Sequence, residues 1–164
     1  MKKVMIVMGS AGDEAVAAKA AEVLSAYGIP YEVHVASAHR TPDRAALLAS
    51  GAREAGFGAI ICFAGMAAHL AGAFAARTVL PVIGVPVKGG VLDGSDALLA
   101  TVQMPSGIPV ATVAVNGGAN AAHLAAQILG VYDGEVYEKL LEARQKAADK
   151  VLADSERLEE KYRG

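Results

Sequence analysis

Aromatic residues, sulfur and charge are all scarce in this 164-residue chain. There is no tryptophan, and only three Phe and five Tyr. A single cysteine, Cys62, excludes an internal disulfide framework and suits a reducing, cytoplasmic setting. It lies in an apolar run, where a thiol behaves as a small buried hydrophobe. The net charge of −2 leaves no electrostatic footprint for nucleic acid or an anionic membrane. No apolar run approaches the ~18 uninterrupted residues that a bilayer span requires. Met1-Lys2-Lys3 leads into only five apolar residues before Gly9, too few for a secretory signal. No set of His, Cys, Asp and Glu has metal-ligand spacing, so no metal is expected. Phosphate-binding signatures of the Walker A and Gly-x-Gly-x-x-Gly kinds are also missing.

The charge that exists is unevenly placed. Half of the Asp, Glu, Lys and Arg side chains fall in residues 131–164. The first 130 residues, rich in Ala and Gly, lack the polar surface a monomer normally carries. Part of that surface is therefore expected to be buried against further copies of the chain. We read one unit over 1–164, an α/β core to residue 130 followed by a C-terminal helix.

Val4-Met5-Ile6-Val7-Met8 is short, continuous, apolar and stopped by glycine, the pattern of a buried parallel strand. Comparable strands are expected at 30–36, 59–63, 82–85 and 110–115. Helical patterns fill the gaps, the second running from Pro42 to about 55 and the fourth from about 93 to 102. This alternation predicts a three-layer α/β/α sandwich around a five-stranded parallel sheet with right-handed crossovers. For this length the flavodoxin-like strand order 2-1-3-4-5 is expected. A long charged helix over about 133–160 follows. Its apolar stripe of Val136, Leu140, Ala143, Ala147, Val151 and Leu158 packs on its own subunit or on a neighbour.

In that order, the loops after the first three strands meet at one sheet edge, bringing together Ser10, Asp13, Ser37, His39, Arg40 and His69. Ser37-Ala38-His39-Arg40-Thr41-Pro42 supplies a hydroxyl, an imidazole and a guanidinium in one turn. Pro42 fits the first position of a helix and Thr41 its N-cap, with the hydroxyl satisfying an orphan backbone donor. Gly9-Ser10-Ala11-Gly12-Asp13 offers free N–H groups at a helix start, suited to a phosphate monoester. Asp13 either caps that helix or accepts hydrogen bonds from ribose hydroxyls. Arg40 would complete the anion site with a planar fork. Ala64-Gly65-Met66-Ala67-Ala68-His69 brings backbone close with little bulk, forming a wall able to exclude water. His69 lies near a helix start, where it could equally be structural, and structural roles are the simpler reading for His34 and His123.

With these residues in view, the chain resembles the phosphoribosylaminoimidazole carboxylase catalytic-subunit family of purine biosynthesis, in its N5-carboxyaminoimidazole ribonucleotide mutase form. The resemblance covers almost the whole chain. Its carriers are Met8-Gly9-Ser10 with Asp13, Ser37-Ala38-His39-Arg40-Thr41-Pro42, Ala67-Ala68-His69-Leu70, Val102-Gln103-Met104-Pro105 with Gly107-Ile108-Pro109-Val110, and Ala119-Asn120-Ala121-Ala122. Four positions depart from the family pattern. Gly12 stands at a usual serine, Met66 at a usual glycine, Ala71 at a usual proline and His123 where an apolar residue is common.

The resemblance implies an α/β/α fold and a homo-octamer with active sites between subunits. It implies a ribonucleotide monophosphate substrate and transfer of a carboxyl group from the exocyclic amine to ring carbon 4, without ATP, metal or other cofactor. His39 would move the proton. Ser10, Asp13, Ser37 and Arg40 would bind substrate beside Ala64, Gly65, Ala67 and His69. Two alternatives stay open, a carboxylase of the same family that uses free CO2 and a non-enzymatic nucleotide-binding module on the same scaffold.

Overall fold

The computed structural model describes residues 1–163. Five parallel strands are β1 (Lys3–Met8), β2 (Tyr31–Val35), β3 (Phe57–Gly65), β4 (Val82–Val87) and β5 (Ala111–Thr112), in the order β2-β1-β3-β4-β5. Six helices accompany them: α1 (Glu14–Ala26), α2 (Pro42–Gly51), α3 (Leu70–Ala75), α4 (Ser95–Val102), α5 (Gly118–Gly130) and α6 (Gly134–Lys161). The architecture is the flavodoxin-like sandwich that the alternation predicts.

Alternate residues of β1 enter opposite cores. Val4, Ile6 and Met8 pack with α1 and α5, whereas Met5 and Val7 pack with α2 and α3. A strand buried on both faces reads as a continuous apolar run, which is why the pattern is legible in sequence. Two glycines set how closely the helices approach. A Cβ on Gly118 would stand 2.2 Å from the Val16 carbonyl oxygen, so α5 lies on α1 with no side chain between them. A Cβ on Gly84 would stand 2.3 Å from Thr101 Cγ2, so α4 rests directly on β4.

The last strand is shorter than its 110–115 pattern suggests. Val113 N–H still donates to the Gly84 carbonyl at 3.1 Å, and Asn116 N–H to the Pro86 carbonyl at 2.9 Å. Pro86 has no N–H with which to make the rung between them, and the ladder stops. Conversely, β3 outruns its 59–63 core at both ends because Phe57 pairs with Lys3 while Ala64 and Gly65 pair with Pro86 and Val87. The second helix ends at Gly51, before the expected 55, and residues 52–56 close as turns through Ala55 N–H to the Gly51 carbonyl.

Helix α6 keeps only its first turns on the body. Val136 is buried, Leu140 and Ala143 are half-buried, and Ala147, Val151 and Leu158 are exposed. Asp133 caps it, its carboxylate accepting from Val136 N–H at 3.3 Å. No helix among the described residues is long and apolar enough to cross a membrane.

Candidate active site

The carboxyl ends of β1 to β4 open onto a crevice of about 560 Å3. Parallel strands all end on the same edge, so each contributes its following loop, and a ligand site there is the usual outcome of this topology. All nine residues singled out from sequence line it: Ser10, Asp13, Ser37, His39, Arg40, Ala64, Gly65, Ala67 and His69.

The turn after β2 is held by its own short polar residues. Ser37 N–H donates to Thr41 Oγ1 at 2.8 Å, and that hydroxyl donates back to the Ser37 carbonyl at 3.1 Å. Thr41 does occupy the N-cap position of α2, but its side chain makes no bond to the helix and instead ties off the turn. That corrects the capping role expected for it: the nearer Ser37 backbone groups take both functions of the hydroxyl. Ser37 Oγ in turn accepts from Arg40 N–H at 3.1 Å and from Arg40 Nε at 3.4 Å. Arg40 Nη2 donates to the Gly9 carbonyl at 3.0 Å, bridging the ends of β2 and β1. One edge of the guanidinium is thus fixed by protein, leaving its remaining N–H groups for a ligand.

The loop after β1 runs through a 3-10 turn over Ala11–Asp13 into α1. Asp13 sits at the N-cap of α1 yet its carboxylate makes no capping bond. Burial pushes that carboxyl group above its ordinary range, and a hydrogen bond from the Ser10 backbone opposes the shift. Gly12 is exposed and does not line the crevice.

The third wall comes from β3 and the start of α3. Ala64 and Gly65 are the final rungs of β3, and a Cβ on Gly65 would lie 3.1 Å from the Val87 carbonyl oxygen. Met66 adopts φ 53°, the left-handed region where glycine is at ease, so it keeps the backbone form of the residue it replaces. Its side chain reaches toward Gly90 across the crevice rim. Ala71, at the other departure, is buried in α3. His69 is exposed at the N-cap of α3 without a capping bond, its ring folded over Gly72.

Sequence reading missed the fourth wall, Val87, Lys88, Gly89 and Gly90. The strand order itself is the signal that points to it, because β4 neighbours β3 and must end beside it. With Lys88 included, the fixed charges lining the crevice are two cations, Arg40 and Lys88, against the single carboxylate of Asp13. This balance favours an anionic ligand.

The other histidines lie elsewhere. His123 Nδ1 is 2.9 Å from the Tyr27 hydroxyl, joining α5 to the end of α1. His34 lies on β2 beside Glu32, its Nε2 3.3 Å from Oε2. No group of three or more possible metal ligands exists among the described residues. Cys62 is fully buried and burial pushes its thiol strongly upward, leaving it inert.

A family model described as AIR carboxylase matches residues 3–150. N5-carboxyaminoimidazole ribonucleotide mutase of Pyrococcus horikoshii is 52% identical over 155 residues, covering 94% of this chain and 88% of that protein. The mutase of Thermotoga maritima is 50% identical over 160 residues, covering 98% and 94%. Among solved structures, Treponema denticola PurE superposes with a TM-score of 0.86 at 31% identity, covering 94% of this chain and 97% of that one.

Proposed function

This chain belongs to the AIR carboxylase family, and from that premise we propose that it is an N5-carboxyaminoimidazole ribonucleotide mutase of purine biosynthesis. The observation that carries the reading is the Ser37–Thr41 turn docked by Arg40 onto the end of β1. It sets His39 on the rim of a crevice whose opposite wall is bare Ala and Gly backbone.

The phosphate monoester meets the backbone N–H groups of the turn after β1, the Ser10 hydroxyl and the open edge of Arg40. Ser37 serves by holding Arg40 in place. Asp13, not spent on a cap, accepts from the ribose hydroxyls. The base then lies between His39 and the Ala64, Gly65 and Ala67 wall, with His69 at its edge.

In the reaction, His39 as imidazolium gives a proton to the exocyclic nitrogen as its bond to the carbamate carbon breaks. CO2 and the free amine result. Carbon 4 then uses its enamine-like electron pair to attack the CO2, and His39 removes the proton from that carbon. The imidazole ends as it began, so the cycle is proton-neutral and needs neither ATP nor metal. Imidazole suits both duties because it titrates near neutrality. CO2 held against the ring gains the advantage of an intramolecular reaction, provided water and diffusion are kept out.

Exposed apolar side chains near the α5–α6 junction support a homo-oligomer, octameric on the family pattern: Val131, Tyr132, Tyr137 and Leu141 surround a second cavity there. The protein acts in the cytoplasm, as its lone buried thiol suits.

The test is to supply N5-carboxyaminoimidazole ribonucleotide at ambient bicarbonate with labelled bicarbonate in the medium. A mutase forms the carbon-4 carboxylate efficiently and incorporates little label. Rapid incorporation, or preference for the uncarboxylated nucleotide at low bicarbonate, would make the chain a carboxylase that uses free CO2.

A further inference from the structure

The crevice has a second cation that the scheme above leaves without a duty. Lys88 follows β4 directly, and its backbone N–H donates to Asn116 Oδ1 at 2.9 Å. That bond anchors the residue to the chain arriving from β5. Its ammonium lies 3.4 Å from Asp93 Oδ1, and both side chains are largely open to solvent. The ammonium is therefore held by a weak, screened partner that a better-placed anion can displace.

The strand order gives its distance from the other cation. Arg40 is bonded to the end of β1, and β3 lies between β1 and β4. Adjacent strands stand about 4.8 Å apart, so the Gly9 anchor of Arg40 and the backbone of Lys88 lie roughly 10 Å apart across the crevice. The bare wall of Ala64 and Gly65 separates them. A mononucleotide with a carboxylated base has an anion at each end: a phosphate at one, a carboxylate at the other.

We propose that Lys88 binds the carboxyl group of the nucleotide, as carbamate in the substrate and as ring carboxylate in the product, and so sets the preference of the site for carboxylated over uncarboxylated ligand. The idea rests on the mutase reading for the identity of the ligands. As the carbamate becomes neutral CO2 its charge passes to nitrogen, so the attraction of Lys88 is greatest before and after the chemical step. Lys88 therefore stabilises the bound nucleotide more than the barrier, which predicts that removing it raises KM and leaves kcat no lower.

The experiment measures binding of 4-carboxy-5-aminoimidazole ribonucleotide and of aminoimidazole ribonucleotide to the parent protein, Lys88→Met and Lys88→Arg, with thermal melts of all three. Met keeps the length of the side chain, and an exposed position tolerates the change. Lys88→Met should bind the carboxylated nucleotide about tenfold more weakly, the size expected for a partly exposed charge-assisted bond. Its affinity for the uncarboxylated nucleotide should stay within about twofold, since no new partner is lost. Lys88→Arg should retain most of the preference. Equal weakening of both ligands, or an undiminished preference in Lys88→Met, would overturn the proposal. Turnover by the parent protein is scored separately, so failure of the mutase reading and failure of the role for Lys88 are distinguishable.

Discussion

Replacing His39 with asparagine separates the chemistry of the crevice from its architecture. The bonds that hold the turn run through Ser37, Arg40 and Thr41, not through the imidazole. His39 is exposed, so His39→Asn should shift stability by no more than about 0.5 kcal/mol, as for other surface substitutions. Asparagine keeps a polar tip but cannot exchange a proton near neutral pH. A positioned acid or base contributes roughly 10²–10⁴-fold to a rate. At about 1.36 kcal/mol for each factor of ten, that is about 3–5 kcal/mol of barrier. Here one group serves two consecutive transfers, so the loss should lie toward the upper end. The assay is turnover of N5-carboxyaminoimidazole ribonucleotide by the purified variant, beside a titration with aminoimidazole ribonucleotide to verify an intact site. Turnover within tenfold of the parent would remove His39 from the mechanism, whereas lost binding would mean that the ring positions ligand.

Arg40→Ala should weaken nucleotide binding by more than Ser10→Ala, because a charged fork contributes more than one neutral hydroxyl; the reverse ranking in a titration would move the phosphate to another loop. Asp13→Asn should abolish the ribose contact and yet raise the melting temperature at pH 7. Burial raises the folded-state pKa of Asp13 above the ordinary carboxylate value of 3.8, so between the two values the folded protein holds a proton that the unfolded chain has released. Stability contributed by this group thus falls as pH rises through that window, and the advantage of the variant should vanish below about pH 4. An unchanged melting temperature at pH 7 would mean that Asp13 is not strained by its burial. Light scattering at micromolar concentration should show a closed assembly, and a monomer would leave the exposed Val131, Tyr132, Tyr137 and Leu141 without an explanation.

The three central strands, β1, β3 and β4, are legible in sequence because burial on both faces leaves unbroken apolar runs. The crevice is legible in three loops out of four. His39 and Arg40 stand out because a compact turn concentrates dissimilar chemistry between a strand and a proline-started helix. Lys88 escapes notice for a physical reason. Pro86 reads as the end of a strand, while in the fold it lies within β4 on the side where its missing N–H faces the short β5. The strand therefore continues to Val87 and delivers the next residue to the rim. Hydrogen-bond partners are equally hidden: nothing in Thr41 itself indicates that its hydroxyl turns back to Ser37. The outward reach of α6 is visible only as a charge-rich stripe, since periodicity does not say which copy of the chain an apolar face meets.

The interruption at Pro86 has a consequence for how copies of this protein can meet. A sheet with a long unpaired margin invites other strands to extend it and seeds fibres. Here one margin is two residues of β5, and the other is β2, whose exposed Glu32 sits beside His34. A short margin and a charged one are both poor templates for strand addition. An assembly of the kind proposed above would then form through helix faces and loops, where a rotation can close on itself and growth stops at a finite number. By withholding a single rung, one ring nitrogen leaves the sheet a margin too short to template another strand.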